Sequence, residues 1–141
     1  MKRSIASIAL AAFIFCYLVP VSQANVCVFP KIKLAQACGY VVDKFGEPVP
    51  NADIKFYFDI DTIPAKTDAR GFFERKDLPE GKISIKVNAA GFANASTTIE
   101  TLTKPTKNCD RPLWIMLDLG MDACSAIATR HKDLPLRKRE R

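Results

Sequence analysis

The chain has 141 residues, which is enough for one domain. Its formal net charge is +6, but residues 25–129 hold 13 basic and 13 acidic residues, so the excess lies near the two ends. The domain itself therefore carries no net basic charge, and we predict no nucleic-acid partner for it.

Residues 1–24 have the features of a cleaved secretory signal peptide. Two basic residues precede an almost wholly apolar run over residues 5–19, and Pro20 ends this run. Small residues lie one and three positions before the predicted cleavage site, which follows Ala24. The run is shorter than the about 20 residues that a membrane-spanning helix needs. We therefore predict a secreted or periplasmic protein, with no stable membrane span after cleavage.

Four cysteines remain in the predicted mature chain: Cys27, Cys38, Cys109 and Cys124. An even number of cysteines behind an export signal predicts two disulfides in an oxidising compartment, and four cysteines allow three pairings. A zinc site is the alternative, but the chain has no C-x-x-C spacing and its one histidine, His131, lies near the C-terminus. We therefore predict no metal site and no cofactor.

Apolar and polar residues alternate in several short runs, which is the pattern of half-buried strands. Ile54, Phe56 and Phe58 share one face of such a run, and turn residues separate each run from the next. The predicted strands cover residues 37–43, 52–59, 63–67, 71–75, 82–89, 94–101 and 112–119. About seven strands without helical periodicity predict an all-β fold, an antiparallel two-sheet sandwich.

The sandwich is predicted to span residues 35–120, behind an N-terminal segment at residues 25–34. Residues 121–141 are predicted to form a C-terminal strap, as a short helix or an extended chain, followed by a basic tail. From Arg130 onward six basic residues stand against two acidic ones, and Pro135 interrupts the run. Like charge and few apolar residues predict that this tail is disordered and dispensable for folding.

Four blocks of sequence resemble carboxypeptidase regulatory-like domains, in the order found in that family. Residues 39–52 resemble its opening, G-x-V-x-D-x-x-G-x-P, and residues 67–73 resemble its T-D-x-x-G-x-F stretch. Residues 78–87 are similar to its L-P-x-G-x-Y block, and residues 89–92 to the A-x-G-F that follows. The resemblance implies a Greek-key, prealbumin-like sandwich that serves as an accessory to another protein.

The same resemblance implies a disulfide pairing. In prealbumin-like sandwiches the first strand and a late strand run side by side and parallel. Cys38 begins the first predicted strand and Cys109 lies just before the last one, so the resemblance implies a bridge between them. Cys27 then pairs with Cys124 and ties the N-terminal segment to the C-terminal strap.

We predict no catalytic residue and no enzymatic activity. A zinc carboxypeptidase needs metal-ligating histidines, and His131 is the only histidine in the sequence. Transthyretin-like hydroxyisourate hydrolases have a related fold but need more than one active-site histidine and end in Tyr-Arg-Gly-Ser. This chain ends in Arg-Glu-Arg. A small transthyretin-like hydrolase is therefore the least favoured of three functional hypotheses.

The leading hypothesis is a binding or structural accessory to a protein or a cell-envelope component. The second is a carbohydrate-binding module that holds a glycan with outward aromatic side chains, for which Trp114 and Tyr57 are the candidates. Trp114 lies on the opposite strand face from Leu113, so it points away from the core if Leu113 points into it. We expect a terminal segment, residues 25–34 or 121–129, to cover Trp114.

Overall fold

The computed structural model of the protein describes residues 32–34, 36–102, 108–120 and 125–139. Within these ranges the chain forms nine short strands and a 3-10 turn at His131–Asp133. The strands are β1 (Ile32–Leu34), β2 (Ala37–Asp43), β3 (Asp53–Phe58), β4 (Asp61–Lys66), β5 (Phe72–Arg75), β6 (Gly81–Asn88), β7 (Ala95–Thr101), β8 (Leu113–Leu117) and β9 (Ala126–Ala128).

The strands form two sheets that pack against each other. The five-stranded sheet has the order β1-β7-β6-β3-β4, and the four-stranded sheet has the order β5-β2-β8-β9. Neighbouring strands are antiparallel except in two pairs, β1 with β7 and β2 with β8, which are parallel. The predicted all-β, two-sheet sandwich is confirmed, but its sheets are mixed rather than purely antiparallel.

The main core lies between the two sheets and takes one face of each strand. Ile54 and Phe56 of β3 are fully buried, whereas Lys55 between them is exposed. Phe73 of the four-stranded sheet packs against Phe56, with ring centroids 6.4 Å apart. The period of two that predicted this strand therefore also separates its core side from its solvent side.

A second apolar cluster lies on the outer face of the four-stranded sheet. Val42 on β2 and Met116 on β8 point away from the main core and are nevertheless buried. Leu134, which is only 7% exposed, and the partly buried Leu136 pack in this cluster from the C-terminal segment. Both faces of this sheet are therefore apolar, and the outer one needs a cover.

The prediction of a disordered tail from Arg130 onward is wrong for residues 130–139. These residues lie on the domain, where the backbone N–H of Arg137 donates to the carbonyl oxygen of Lys44 at 2.8 Å. The physical reason is that the two leucines of the tail bury apolar surface on the four-stranded sheet. Net charge and proline content describe the exposed side chains of such a segment and miss the few that are buried.

The strands β1 and β9 lie outside the strands predicted from the sequence. Each has three residues, which is too short for alternation to be recognised. They form the outer edges of the five-stranded and the four-stranded sheet, respectively. β9 also shows that residues 126–128 of the predicted strap are extended and paired with β8.

In the part of the chain that the structure describes, no helix is long and apolar enough to cross a membrane. The predicted signal peptide, at residues 1–24, lies outside the described residues, as does its cleavage site after Ala24. Cleavage and export therefore stay predictions.

Candidate functional site

A disulfide joins two neighbouring strands at one end of the four-stranded sheet. Cys38 lies in β2 and Cys109 shortly before β8, and their Cα atoms are 5.9 Å apart. Because β2 and β8 are parallel, both strands begin at the same end of the sheet. This is the bridge that the family resemblance implied. Cys27 and Cys124 lie outside the described residues, so their pairing stays a prediction.

The turn between β4 and β5 is built by Asp68 and Gly71. Asp68 Oδ1 accepts hydrogen bonds from the backbone N–H groups of Phe72 at 2.9 Å and Arg70 at 2.8 Å. The bond from Phe72, supported by Arg70, lowers the pKa of Asp68 below its ordinary value of 3.8. Gly71 has a φ of +71°, and a β-carbon there would lie 2.4 Å from the carbonyl oxygen of Val41. These motif residues therefore have a structural role, because they fix the backbone conformation of the turn.

Trp114 is half-buried on the outer face of the four-stranded sheet. Its ring stacks on Tyr40, with centroids 4.7 Å apart, and His131 meets it edge-on at 4.6 Å. Trp114 also packs against the apolar cluster that contains Leu134. Its cover therefore includes the tail beyond residue 129, in addition to one of the segments predicted from the sequence. These contacts occupy ring surface that a sugar would need.

Tyr57 lies on the outer face of the five-stranded sheet, where it is partly exposed. Its register partners are Ser84 on β6 and Thr62 on β4. The structure thus places Tyr57 and Trp114 on the outer faces of different sheets. The two candidate aromatic residues cannot contact one ligand together, and each must be judged by its own surroundings.

The outer face of the five-stranded sheet is rich in lysine, and we call it the lysine face. Two ion pairs neutralise part of its charge: Lys33 with Glu100 at 3.2 Å and Lys66 with Asp53 at 3.3 Å. The remaining lysines of the face form no ion pair with a described residue. The face holds five lysines and two acids, a net charge of +3: Lys33, Lys55, Lys66, Lys82, Lys86, Asp53 and Glu100.

The centre of the lysine face places two like charges opposite each other. Lys55 on β3 is the direct register partner of Lys86 on β6. Lys86 Nζ lies 5.2 Å from the centroid of the Tyr57 ring, a cation–π contact. In the next row, Ser84 faces Tyr57, and Thr98 on β7 continues that row. Two lysines at directly paired positions, one aromatic ring and hydroxyl groups therefore share an exposed patch.

The lysine face cannot be inferred from the net charge of the domain. A net charge of zero over residues 25–129 would suggest that the domain has no basic surface. The outer face of the five-stranded sheet is nevertheless basic. Acidic residues that balance the lysines lie elsewhere, for example at the tip of the β3–β4 hairpin. A usable signal is present in the sequence, because lysine occupies outward positions of the strands predicted at residues 52–59 and 82–89.

A cavity of about 390 Å³ opens beside the disulfide. Gln36 is buried in its wall and donates from Nε2 to Glu74 Oε1 at 2.5 Å, while its Oε1 has no hydrogen-bond partner among the described residues. Cys38 is oxidised and Lys33 is paired with Glu100, so the described lining offers no free nucleophile beside a base. The cavity is lined by Lys33, Leu34, Gln36, Cys38, Leu102, Asp110 and Arg111.

Metal-ligating side chains do not come together in the described ranges. No group of three histidine, cysteine, aspartate or glutamate residues there is arranged to hold a metal ion. His131 is in contact with Trp114, and Asp68 is engaged by its own turn.

The strand order and the parallel β2–β8 pair define a two-sheet β-sandwich with mixed sheets. The model of the carboxypeptidase regulatory-like domain family matches residues 38–110, just over half of the chain. The chain therefore belongs to the carboxypeptidase regulatory-like domain family, as the four sequence blocks predicted. A search of curated proteins found no match.

Proposed function

We propose that the protein is a non-enzymatic, secreted or periplasmic β-sandwich module, a binding or structural accessory to a protein or a cell-envelope component. Its family is named for a regulatory-like domain, which supports an accessory role. The Cys38–Cys109 disulfide is compatible with an oxidising compartment outside the cytoplasm. The sequence features of residues 1–24 support export by a cleaved signal peptide.

The observation that carries the proposal is the difference between the two outer sheet faces. The apolar outer face of the four-stranded sheet is covered by the C-terminal segment, in which Leu134 is buried. On the lysine face, by contrast, Lys55, Lys82 and Lys86 are exposed. A surface that is open, charged and only partly ion-paired suits recognition of a partner with complementary charge.

A carbohydrate-binding module is the second candidate function, and the position of Tyr57 favours it. Tyr57 offers a partly exposed ring on the lysine face, beside Ser84 and Lys86. Trp114 is the weaker candidate for glycan binding, because Tyr40 and His131 already contact its ring. Both candidate functions therefore place the partner on the same face.

Photo-cross-linking in the source cells tests this choice of face. Benzoylphenylalanine replaces Tyr57 in one variant and Phe72 in a matched control, since both are partly buried aromatic residues on the outer faces of strands. We expect adducts from position 57 in the extracytoplasmic fraction and none from position 72. Mass spectrometry of that fraction should find Asn25 as the first residue.

Three kinds of result would contradict the proposal. The first is the absence of adducts from position 57, or adducts from position 72 alone, which would move the binding surface to the four-stranded sheet. The second is a protein that stays in the cytoplasm with its leader intact. Hydrolytic activity that copurifies with the protein and disappears in a His131→Ala variant would overturn the non-enzymatic assignment.

A further inference from the structure

The Lys55–Lys86 pair is a local cost to the fold. Like charges directly opposite each other in an antiparallel pair destabilise the sheet. Neither ammonium group is offset by an ion pair with a described residue, and among those residues the Tyr57 ring is the one that forms a cation–π contact with Lys86. Surface positions that lower stability without a structural gain are characteristic of functional sites. The pair therefore marks the part of the lysine face on which a ligand would act.

We infer that the lysine face binds a linear acidic polysaccharide that lies along β3 and β6; this inference rests on the proposed function. Acid groups of the polymer neutralise Lys55 and Lys86 together and relieve their repulsion. Tyr57 and Ser84, in the next row of the same strands, contact the sugar ring and its hydroxyl groups. The two earlier functional hypotheses, an envelope accessory and a glycan-binding module, then describe the same surface.

The spacing of the lysines suits an extended polymer. Lys82 and Lys86 lie on the same side of β6, four residues and therefore about 13 Å apart. Ser84 lies midway between them, with Thr98 and Tyr57 on either side of it in the register. A chain that follows β6 thus meets cation, hydroxyl and cation in turn. An isolated small anion would use only one of these positions.

A lipid surface fits this face less well. Outward side chains of the sheet are polar or charged apart from Tyr57 and Pro64. The most exposed large apolar residue in the described ranges is Ile60, at the tip of the β3–β4 hairpin and 98% exposed. Asp59 and Asp61 flank it, and their charge opposes contact with an anionic bilayer. Membrane insertion through this tip is therefore disfavoured.

A nucleic acid is also a less suitable ligand for the lysine face. The cations at outward positions of the described strands are lysines, whereas phosphate recognition favours the planar, bidentate arginine side chain. Single-stranded nucleic acids also need several aromatic side chains for successive bases, and this face has Tyr57 alone. Uncharged hydroxyl side chains between the lysines are better matched to sugar.

The basic C-terminal segment is the competing site for an anionic polymer. Part of its charge is already engaged: Arg130 pairs with Asp133 at 2.7 Å, and Arg139 lies over the Phe45 ring at 5.4 Å. Lys132 and Lys138 are exposed and form no ion pair with a described residue. These two lysines provide a control of equal charge on another surface.

The test is binding of the purified mature protein to polygalacturonate, with neutral dextran as the reference polymer. We expect binding to polygalacturonate that weakens at high salt, because the Debye length falls from about 8 Å at physiological ionic strength to about 3 Å at 1 M. The double variant Lys55→Glu/Lys86→Glu should lose about tenfold or more in affinity. The control Lys132→Glu/Lys138→Glu, with the same change in net charge, should lose less than about threefold. Thermal melting checks that both variants fold.

Several results would overturn the inference. Equal losses in both double variants would show a response to net charge alone, and a larger loss in the control would place the site on the C-terminal segment. Binding to single-stranded DNA or to phosphatidylglycerol vesicles as tight as to polygalacturonate would refute a polysaccharide site. If position 57 cross-links to a partner in cells but the protein does not bind polygalacturonate, this inference fails and the proposed function stands.

Discussion

At the scale of single residues, Asp68 links the stability of the fold to pH. The hydrogen bond from the Phe72 N–H lowers the pKa of Asp68 in the folded state below its ordinary value of 3.8. The ionised carboxylate therefore stabilises the fold above that value, and the contribution is lost as the pH falls through the lowered folded pKa. At neutral pH this contribution is fully present.

We expect Asp68→Asn to lower the free energy of unfolding at neutral pH. The difference from the wild type should shrink in the acid range, where both side chains are uncharged. Urea unfolding at a series of pH values measures it. The control is Asp61→Asn, an equal change in charge at an exposed position outside this turn. A difference that stays constant down to acid pH would show that the charge of Asp68 is not responsible.

Gly39 is a residue whose structural role cannot be inferred from the neighbouring sequence. Turn glycines such as Gly71 are predictable from the residues around them, because a turn needs a positive φ. Gly39 lies inside β2, and its reason appears only in the folded chain: a β-carbon there would lie 2.1 Å from the carbonyl oxygen of Leu113. The close approach of β2 and β8 is a tertiary fact, which the sequence around position 39 does not contain.

At the scale of elements, the C-terminal segment belongs to the folded domain. We expect Leu134→Ala to lower the free energy of unfolding by about 2 kcal/mol, because the side chain is buried against Val42 and Met116. The neighbouring Lys132→Ala, at an exposed position, should change it by less than about 0.5 kcal/mol. Chemical unfolding of the two variants measures the difference. If Leu134→Ala leaves the stability unchanged, the tail does not pack on the domain, and the disorder that the composition predicts would be correct.

Two lysine-to-glutamate substitutions on the lysine face should change the free energy of unfolding in opposite directions. Lys55→Glu replaces a like-charge pair with an attractive one to Lys86, and should raise the free energy of unfolding by about 0.5 kcal/mol. Lys82→Glu places a carboxylate opposite Glu100 and should lower it by a similar amount, about 0.5 kcal/mol. Thermal melting at low ionic strength measures both. Two shifts of the same sign would show that the register partners do not control the stability of this face.

Much of the fold could be predicted at the scale of elements. Each of the seven predicted strands corresponds to an observed strand, with boundaries that agree within two residues. Strands such as β3 and β6 have one buried and one exposed face, which alternation reveals. The sequence pattern fails for the three-residue strands β1 and β9 and for the C-terminal segment. Their few buried residues form no period, and their burial depends on distant partners such as Val42.

At the scale of the whole molecule, the Cys38–Cys109 bridge closes a loop with a sequence separation of 71 residues. A loop of this length reduces the entropy of the unfolded chain enough to stabilise the fold by about 4 kcal/mol. We expect the double variant Cys38→Ala/Cys109→Ala to lose a large part of that free energy while keeping its β-sheet circular dichroism spectrum. Urea unfolding of the non-reduced proteins measures it, and a loss below about 1 kcal/mol would show that the bridge adds little to this sandwich.

The candidate site was only partly predictable because charge and register act over the whole molecule. Tyr57 could be chosen from its outward position in a predicted strand. The pairing of β3 with β6 rather than with another strand cannot be inferred from either segment, and it is this pairing that sets Lys55 opposite Lys86. A neutral domain can therefore have a basic face, provided that its acids lie on other surfaces.

The most direct test of the lysine face as a binding surface is a map of the lysines that contact the polymer. Reductive methylation with ¹³C places an NMR probe on every lysine while retaining its charge. During titration with polygalacturonate, we expect the resonances of Lys55, Lys82 and Lys86 to shift first and those of Lys44 and Lys132 to stay in place. Shifts confined to lysines of the C-terminal segment, or no shifts at all, would contradict the assignment of the lysine face as the binding surface.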